Sequence, residues 1–185
     1  MKFFKENSSV IFRLIITHIG MSVFGLVIFL ATNQRGDKIM LLASILSTLF
    51  FAAITYSTTW EYGSKDKPAI DAGRTDFKPS NAFFSALVAE SLGILLICIY
   101  LVSSFFIAGN DTAKSVFAIS YLLLYLAESC ISGFMLYFHH LFQNPIVNSL
   151  CFLLLPLTVS VSSALGYTFG AKGVTIIPQK QTKKK

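Results

Sequence analysis

Long apolar runs separated by short polar ones set the pattern of this chain. Val10 to Ala31, Ile39 to Thr59, Ala82 to Ala108, Ala113 to Phe138 and Ile146 to Phe169 are almost continuously hydrophobic. A run of about 18 or more apolar residues is long enough to cross the hydrocarbon layer of a bilayer as a helix. Barrel strands would alternate in polarity over about ten residues, and these runs do not. In lipid, a helix satisfies its own backbone groups within one segment. The expected fold is therefore all-α: a polytopic transmembrane helical bundle of about five spans, forming a single unit over residues 1–170. The first run is too long for a signal-peptide core and no A-x-A cleavage site follows it, so it reads as a retained span.

The polar segments fill in the connections. Thr32 to Lys38 makes a short turn, and Gly109-Asn110-Asp111 another. Trp60 to Asn81 is the one long hydrophilic loop, with acidic and basic residues in equal number and Gly63, Pro68, Gly73 and Pro79 as breaks. It is expected to form turns or a broken surface helix. Pro156, inside the fifth run, is expected to kink it. Residues 171–185 form a basic tail, expected to be disordered.

Composition supports the same class. The chain has 185 residues, is 54% hydrophobic and only 13% charged, too little polar surface for a water-soluble domain. Its net charge of +6 comes largely from the two ends, since the charges of the long loop cancel. The tail lysines form a block without aromatic interleaving, which argues against nucleic acid, and contact with anionic lipid headgroups is expected if the tail is cytoplasmic. With five spans, the N-terminal segment and the long loop lie on one side and the tail on the other. The excess of Lys and Arg before the tail puts the long loop in the cytoplasm. Trp60, Tyr56 and Tyr62 cluster where the second span leaves the lipid, as interface anchors do. Cys98, Cys130 and Cys151 sit in apolar runs without metal-ligand spacing and read as packing residues.

Two short motifs carry a resemblance. Trp60-Glu61-Tyr62-Gly63-Ser64-Lys65-Asp66 follows a span, and Gly166-Tyr167-Thr168-Phe169-Gly170-Ala171-Lys172 ends the last one. Together they resemble a group of small, uncharacterised multi-span membrane proteins of Gram-positive, clostridia-like bacteria. Those proteins have a W-x-x-G-x-x-D segment after an early span and a C-terminal G-Y-x-x-G-x-K segment. The resemblance implies a multi-pass protein of a bacterial cell membrane, and it transfers no catalytic residue.

Motifs for catalysis are missing: no P-loop, H-E-x-x-H, G-x-S-x-G or dinucleotide fingerprint occurs. No enzyme activity, cofactor or metal is expected, and ATP-driven transport would need a separate ATPase subunit. The candidate chemistry is instead inside the spans. His18, Glu90 and Glu128 are ionisable residues within apolar runs, where a charge costs about 2.5–3.5 kcal/mol at the bilayer centre. By count from the span ends, all three lie roughly 12–15 Å from the same membrane face. From the Gly109-Asn110-Asp111 turn, Glu90 is about 19 residues back and Glu128 about 18 forward, so antiparallel neighbours bring them level. Tyr121, Tyr125, Glu128, Ser132 and His139 share one helical stripe. Ala82, Ser85, Ala86, Ala89 and Gly93 form a small-residue face beside Glu90, and His18, Ser22 and Gly25 share a side of the first span.

These features suggest a small permease-like or transporter subunit with a proton or cation site at Glu90, Glu128, His18, Tyr121, Tyr125 and Ser132. The alternative is a non-transporting scaffold or assembly partner of another membrane protein, in which the polar groups only join helices. A membrane-embedded hydrolase using His and Glu is a third reading. The span assignment is tested by single cysteines at Ser64 and Asn110 in a cysteine-free background. An impermeant thiol reagent should reach position 110 but not position 64 on intact cells. Labelling of both or neither defeats the span assignment, and the reverse result inverts the orientation.

Overall fold

A computed structural model describes residues 2–108, 110–141 and 144–174. Gly109 of the expected tight turn and the tail beyond Val174 lie outside the described residues. The chain is helical throughout, with no strand among the described residues: α1 (Lys2–Thr32), α2 (Asp37–Asp71), α3 (Pro79–Ala89), α4 (Ser91–Phe105), α5 (Asp111–Ala127), α6 (Ser132–Leu141), α7 (Pro145–Phe152) and α8 (Leu154–Ala171). Three segments are long and apolar enough to cross a membrane, Phe3–Arg35, Asp37–Asp71 and Ile146–Ala171, and two bent helix pairs bring the number to five.

Burial is inverted relative to a water-soluble bundle. Leu30, Leu49, Leu92, Leu95 and Val102 are exposed on the outside, whereas Ser44, Ser47, Thr55, Thr58, Thr59 and Ser85 are buried. Hydroxyls turned inward and aliphatic side chains turned outward are what lipid selects, because lipid solvates leucine and cannot hydrogen-bond serine. Phe51, Tyr100, Leu124, Phe152 and Leu155 fill the centre.

The most extensive interface joins α2 to α8. The two helices run in the same direction: Ser162 Oγ donates to the Ala52 carbonyl. Gly166 lies against the Tyr56 carbonyl and Gly170 against that of Trp60. Gly63 meets the Tyr167 carbonyl in return, and a Cβ at any of these three glycines would overlap backbone. Such contacts let two helices approach far closer than branched residues allow. Tyr167 Oη then donates to Asp66 at 2.9 Å, and Trp60 Nε1 to the Val174 carbonyl at 2.9 Å. The two sequence motifs are thus the two halves of a single interface.

Two expectations are corrected here. The segment after Trp60 is not a loop from its first residue: α2 continues as helix to Asp71. Docking on α8 holds these turns, with Glu61 bridging Arg13 and Lys65 at 2.8 Å on the other side. Pro68 lies inside the helix near its end, where it removes one backbone hydrogen bond to the Ser64 carbonyl, and Gly73 follows the helix at φ 66°. Second, an odd number of crossings put the C-terminal tail opposite the long connection. The parallel course of α2 and α8 brings their C-terminal ends together, beside the N-terminal turns of α1, where Ser9 and Tyr62 hydrogen-bond at 3.0 Å. This end is called the loop end below, and the end at Asn33–Arg35 the turn end.

The third and fourth apolar runs are not single helices. α3 and α4 meet at Glu90 with a 57° bend, and α5 bends by 87° into the 3-10 turn Ser129–Ile131 and α6 at Glu128. α5 runs back along α4, with Tyr100 stacked on Phe117 at 4.8 Å. Past Glu128 the chain docks on α1 at Ser22 and Gly25, and then α6 reaches the first turns of α2, where Ser44 Oγ accepts from the Gly133 N–H at 2.8 Å. α5 and α6 so form a V with Glu128 at its apex. Near Pro156 the helix is interrupted only at Leu153, between α7 and α8, where the proline ring denies a hydrogen bond to the Phe152 carbonyl, and Ile146–Ala171 still forms one span.

The shared exit of α2 and α8 predicts that a cysteine at Val174, in a cysteine-free background, labels from the same membrane face as one at Ser64. Labelling from the face of Asn110 would contradict the parallel arrangement.

Candidate functional site

Both helix breaks place a glutamate at the bundle centre. Glu90 follows the last residue of α3 and precedes the first of α4; its N–H still bonds back to the Ala86 carbonyl, and its own carbonyl accepts from Ile94. Glu128 stands in the same position after α5, with its N–H on the Leu124 carbonyl. A serine follows each glutamate. Serine competes for backbone hydrogen bonds and favours helix ends over interiors, which is a local reason for the breaks. Ala-Glu-Ser occurs at 89–91 and again at 127–129, a signal in the sequence that periodicity alone passes over.

The breaks are held from outside. Ser22 Oγ donates to the Ala127 carbonyl and Ser129 Oγ donates to the Ser22 carbonyl, so α1 and the 3-10 turn exchange two bonds. Gly25 lies on the backbone of Cys130, whose Sγ approaches the Met21 carbonyl at 3.1 Å. The side of α1 that carries His18, Ser22 and Gly25 is therefore the side that receives the apex of the V.

His18, Glu90 and Glu128 converge there. Their ligand atoms lie within 4.8 Å of one another, near enough to share one proton or small cation. His18 Nδ1 is 2.7 Å from Glu90 Oε2, an ion-pair contact whose angle falls outside hydrogen-bond geometry. Both glutamate side chains are 1% exposed and that of His18 is 14% exposed. The two oxygens of Glu128 have no hydrogen-bond partner. One imidazole faces two carboxyl groups, so full ionisation of the trio would leave one negative charge unmatched. Phe51 closes the site from α2, its ring 5.7 Å from that of His18. Gly93 closes it from α4: a Cβ at 93 would overlap the Glu128 carboxylate. Gly93 was legible only as part of a small-residue face, and its contact with Glu128 arises because the chain bends at 90.

The other site candidates lie beside the trio rather than in it. Tyr125 Oη donates to the Ser132 carbonyl at 3.0 Å, and Ser132 Oγ to the Ser129 carbonyl at 2.7 Å. The Tyr121 ring lies tilted against those of Tyr125, at 5.7 Å, and His139, at 6.1 Å. Among the described residues no hydrogen bond joins Tyr121, Tyr125 or Ser132 to His18, Glu90 or Glu128. The reason is the 87° bend, which ends the continuous stripe at Glu128; Tyr125 and Ser132 instead brace the inside of the V. His139 takes Asn148 as its partner at 2.9 Å across to α7. Of the expected anchors, Trp60 ties α2 to the end of α8, Tyr56 lies 6.4 Å from Phe169, and Tyr62 sits between Arg13 and Lys65.

No protein-family model, curated protein or solved structure matches this chain.

The contact of Gly93 with Glu128 generates a double-mutant test. Gly93→Ala should cost about 1–3 kcal/mol, the usual range for overpacking, read as a lowered unfolding temperature in detergent. Combined with Glu128→Ala, which removes the opposing carboxylate, the same substitution should cost much less. Additive losses would show that the two positions do not touch.

Proposed function

We propose that this protein is a small permease-like membrane protein or transporter subunit, and that His18, Glu90 and Glu128 form its intramembrane proton or cation site. The observation that carries the reading is the surplus carboxylate. Two buried glutamates and one imidazole hold one more potential negative than positive charge, and an isolated buried charge is costly. A proton or a small cation completes such a site, and its arrival and departure is a transport step. The position of the glutamates at helix breaks supports the same reading, since discontinuous helices form the ion sites of many transporters. Glu128 follows the C-terminal end of α5, where the helix dipole favours positive charge.

The membrane is the plasma membrane of a bacterium, as the motif resemblance implies. The loop end faces the cytoplasm: it gathers Lys2, Lys5, Arg13, Lys65, Lys67, Arg74, Lys78 and Lys172, against Arg35, Lys38 and Lys114 elsewhere. On this reading the V of α5 and α6 is re-entrant: it dips from the turn end to the level of His18 and returns.

Purified protein in vesicles carrying an internal pH indicator should dissipate an imposed pH gradient. Glu128→Gln and Glu90→Gln should each abolish that flux while keeping the unfolding temperature near that of the parent, because an amide resembles a protonated acid in shape. Absence of flux in the parent, or Gln variants as active as the parent, would sink the transport reading. A stable membrane partner co-purifying with an inactive parent would establish the scaffold instead.

A further inference from the structure

A cavity of about 500 Å³ opens at the loop end, between α1, α2, α3, α8 and the connection before α3. About half of its wall is polar, with Asn7 from α1, Tyr62 and Asp66 from α2, Arg74 and Lys78 from the connection, and Tyr167 from α8. Part of this wall is fixed in place, by the Tyr167–Asp66 hydrogen bond and by the Lys78–Asp76 ion pair at 2.8 Å. Asn81 and Ser85 of α3 lead from the rim inward, and Thr59 of α2 lines the opposite side.

Beyond the cavity lies a line of buried hydroxyls. Thr55, Ser85 and Ser160 are fully buried, and none of their side-chain oxygens has a hydrogen-bond partner. Their order follows from the helix register. Ser163 Oγ donates to the Ala82 carbonyl at 2.8 Å, which sets α3 and α8 antiparallel at that point. One turn further in, Ser85 and Ser160 are therefore level. Thr55 is one turn inward from the cavity-lining Thr59 on α2. Ser85 precedes Glu90 by five residues, about 7.5 Å of helical rise. A buried hydroxyl without a partner costs about 1–3 kcal/mol, and ordered water bonded to two or more polar groups is how proteins avoid that cost. These three hydroxyls lie on helices that run from the cavity toward the ion site, and Ser85 itself lines the cavity.

We propose that this cavity is the aqueous access to the His18–Glu90–Glu128 site, open to the loop end only, with Ser85, Ser160 and Thr55 as its inward relay. The permeating species is a proton or a small hydrated cation, the class that a file of hydroxyls and waters passes. The purpose of the path rests on the transport reading, but its geometry stands apart from it.

Accessibility tests the path without any flux measurement. In a background of Cys98→Ala, Cys130→Ser and Cys151→Ala, single cysteines are placed at Asn81, Ser85, Ser160 and the outward-facing Leu95. Vesicles of both orientations are treated with a small, membrane-impermeant cationic thiol reagent. Asn81→Cys and Ser85→Cys should react from the loop side and from no other, Ser160→Cys more slowly from the same side, and Leu95→Cys from neither. The reagent attached at position 81 should also abolish flux. The access is overturned if Asn81→Cys reacts while both Ser85→Cys and Ser160→Cys stay inert, or if either of these reacts from the opposite face. The Ser160→Cys variant decides the question should Ser85→Cys fail to accumulate, and the reverse holds equally. Labelling as expected in a parent without flux leaves the path standing and removes the transport reading; flux in a parent whose buried positions stay inert does the opposite.

Discussion

The close contact of α8 with α2 governs the rest of the architecture. In lipid there is little hydrophobic gain from pressing two leucine faces together, so helices associate where backbones can approach and disperse against each other. Gly63, Gly166 and Gly170 provide that approach, each with no room for a Cβ. Because these glycines interlock at successive turns, they fix register and direction together: α8 must run parallel to α2. Parallel neighbours require the intervening chain to start α8 at the turn end: α3 and α4 carry it there, and the V of α5 and α6 ends where it began. The loop-end cavity follows as well, since α2 and α8 form two of its walls.

Within this frame the polar interior is assembled from breaks rather than from a continuous stripe. A straight helix at 100° per residue would carry Tyr121, Tyr125, Glu128, Ser132 and His139 along one face. The bend at Glu128 instead turns the carboxylate toward His18 and Glu90, and leaves the tyrosines to support the corner. Breaking a helix in lipid exposes backbone groups that need partners. Ser22 and Ser129 supply them across the α1 contact, and Gly25 allows the approach. The two glutamates thus meet a histidine at helix ends inside the bundle.

Much of the fold was legible in the sequence. The apolar runs determined that the chain is an all-helical bundle with segments long enough to cross a membrane, because lipid leaves a polar backbone few alternatives. The rarity of charge inside those runs singled out His18, Glu90 and Glu128, since charge at that depth is expensive. Counting residues from the turn near Asn110 put the two glutamates level, because helical rise is constant. The two glycine motifs were visible too, though only as a resemblance and not as two faces of one contact.

What the sequence could not decide was direction and curvature. Hydropathy does not distinguish a straight span from a V, as both expose the same apolar residues to the same lipid. The bends at Glu90 and Glu128 depend on partners far along the chain, Ser22, Gly25 and Ser44, which no local pattern links to them. The helical continuation past Trp60 depends likewise on Tyr167 and Val174. Only the tertiary structure shows which hydroxyls lack partners and which carboxylates meet, because hydrogen bonding and charge in a low-dielectric interior are settled by distances of a few ångströms between helices, and those distances are set by packing.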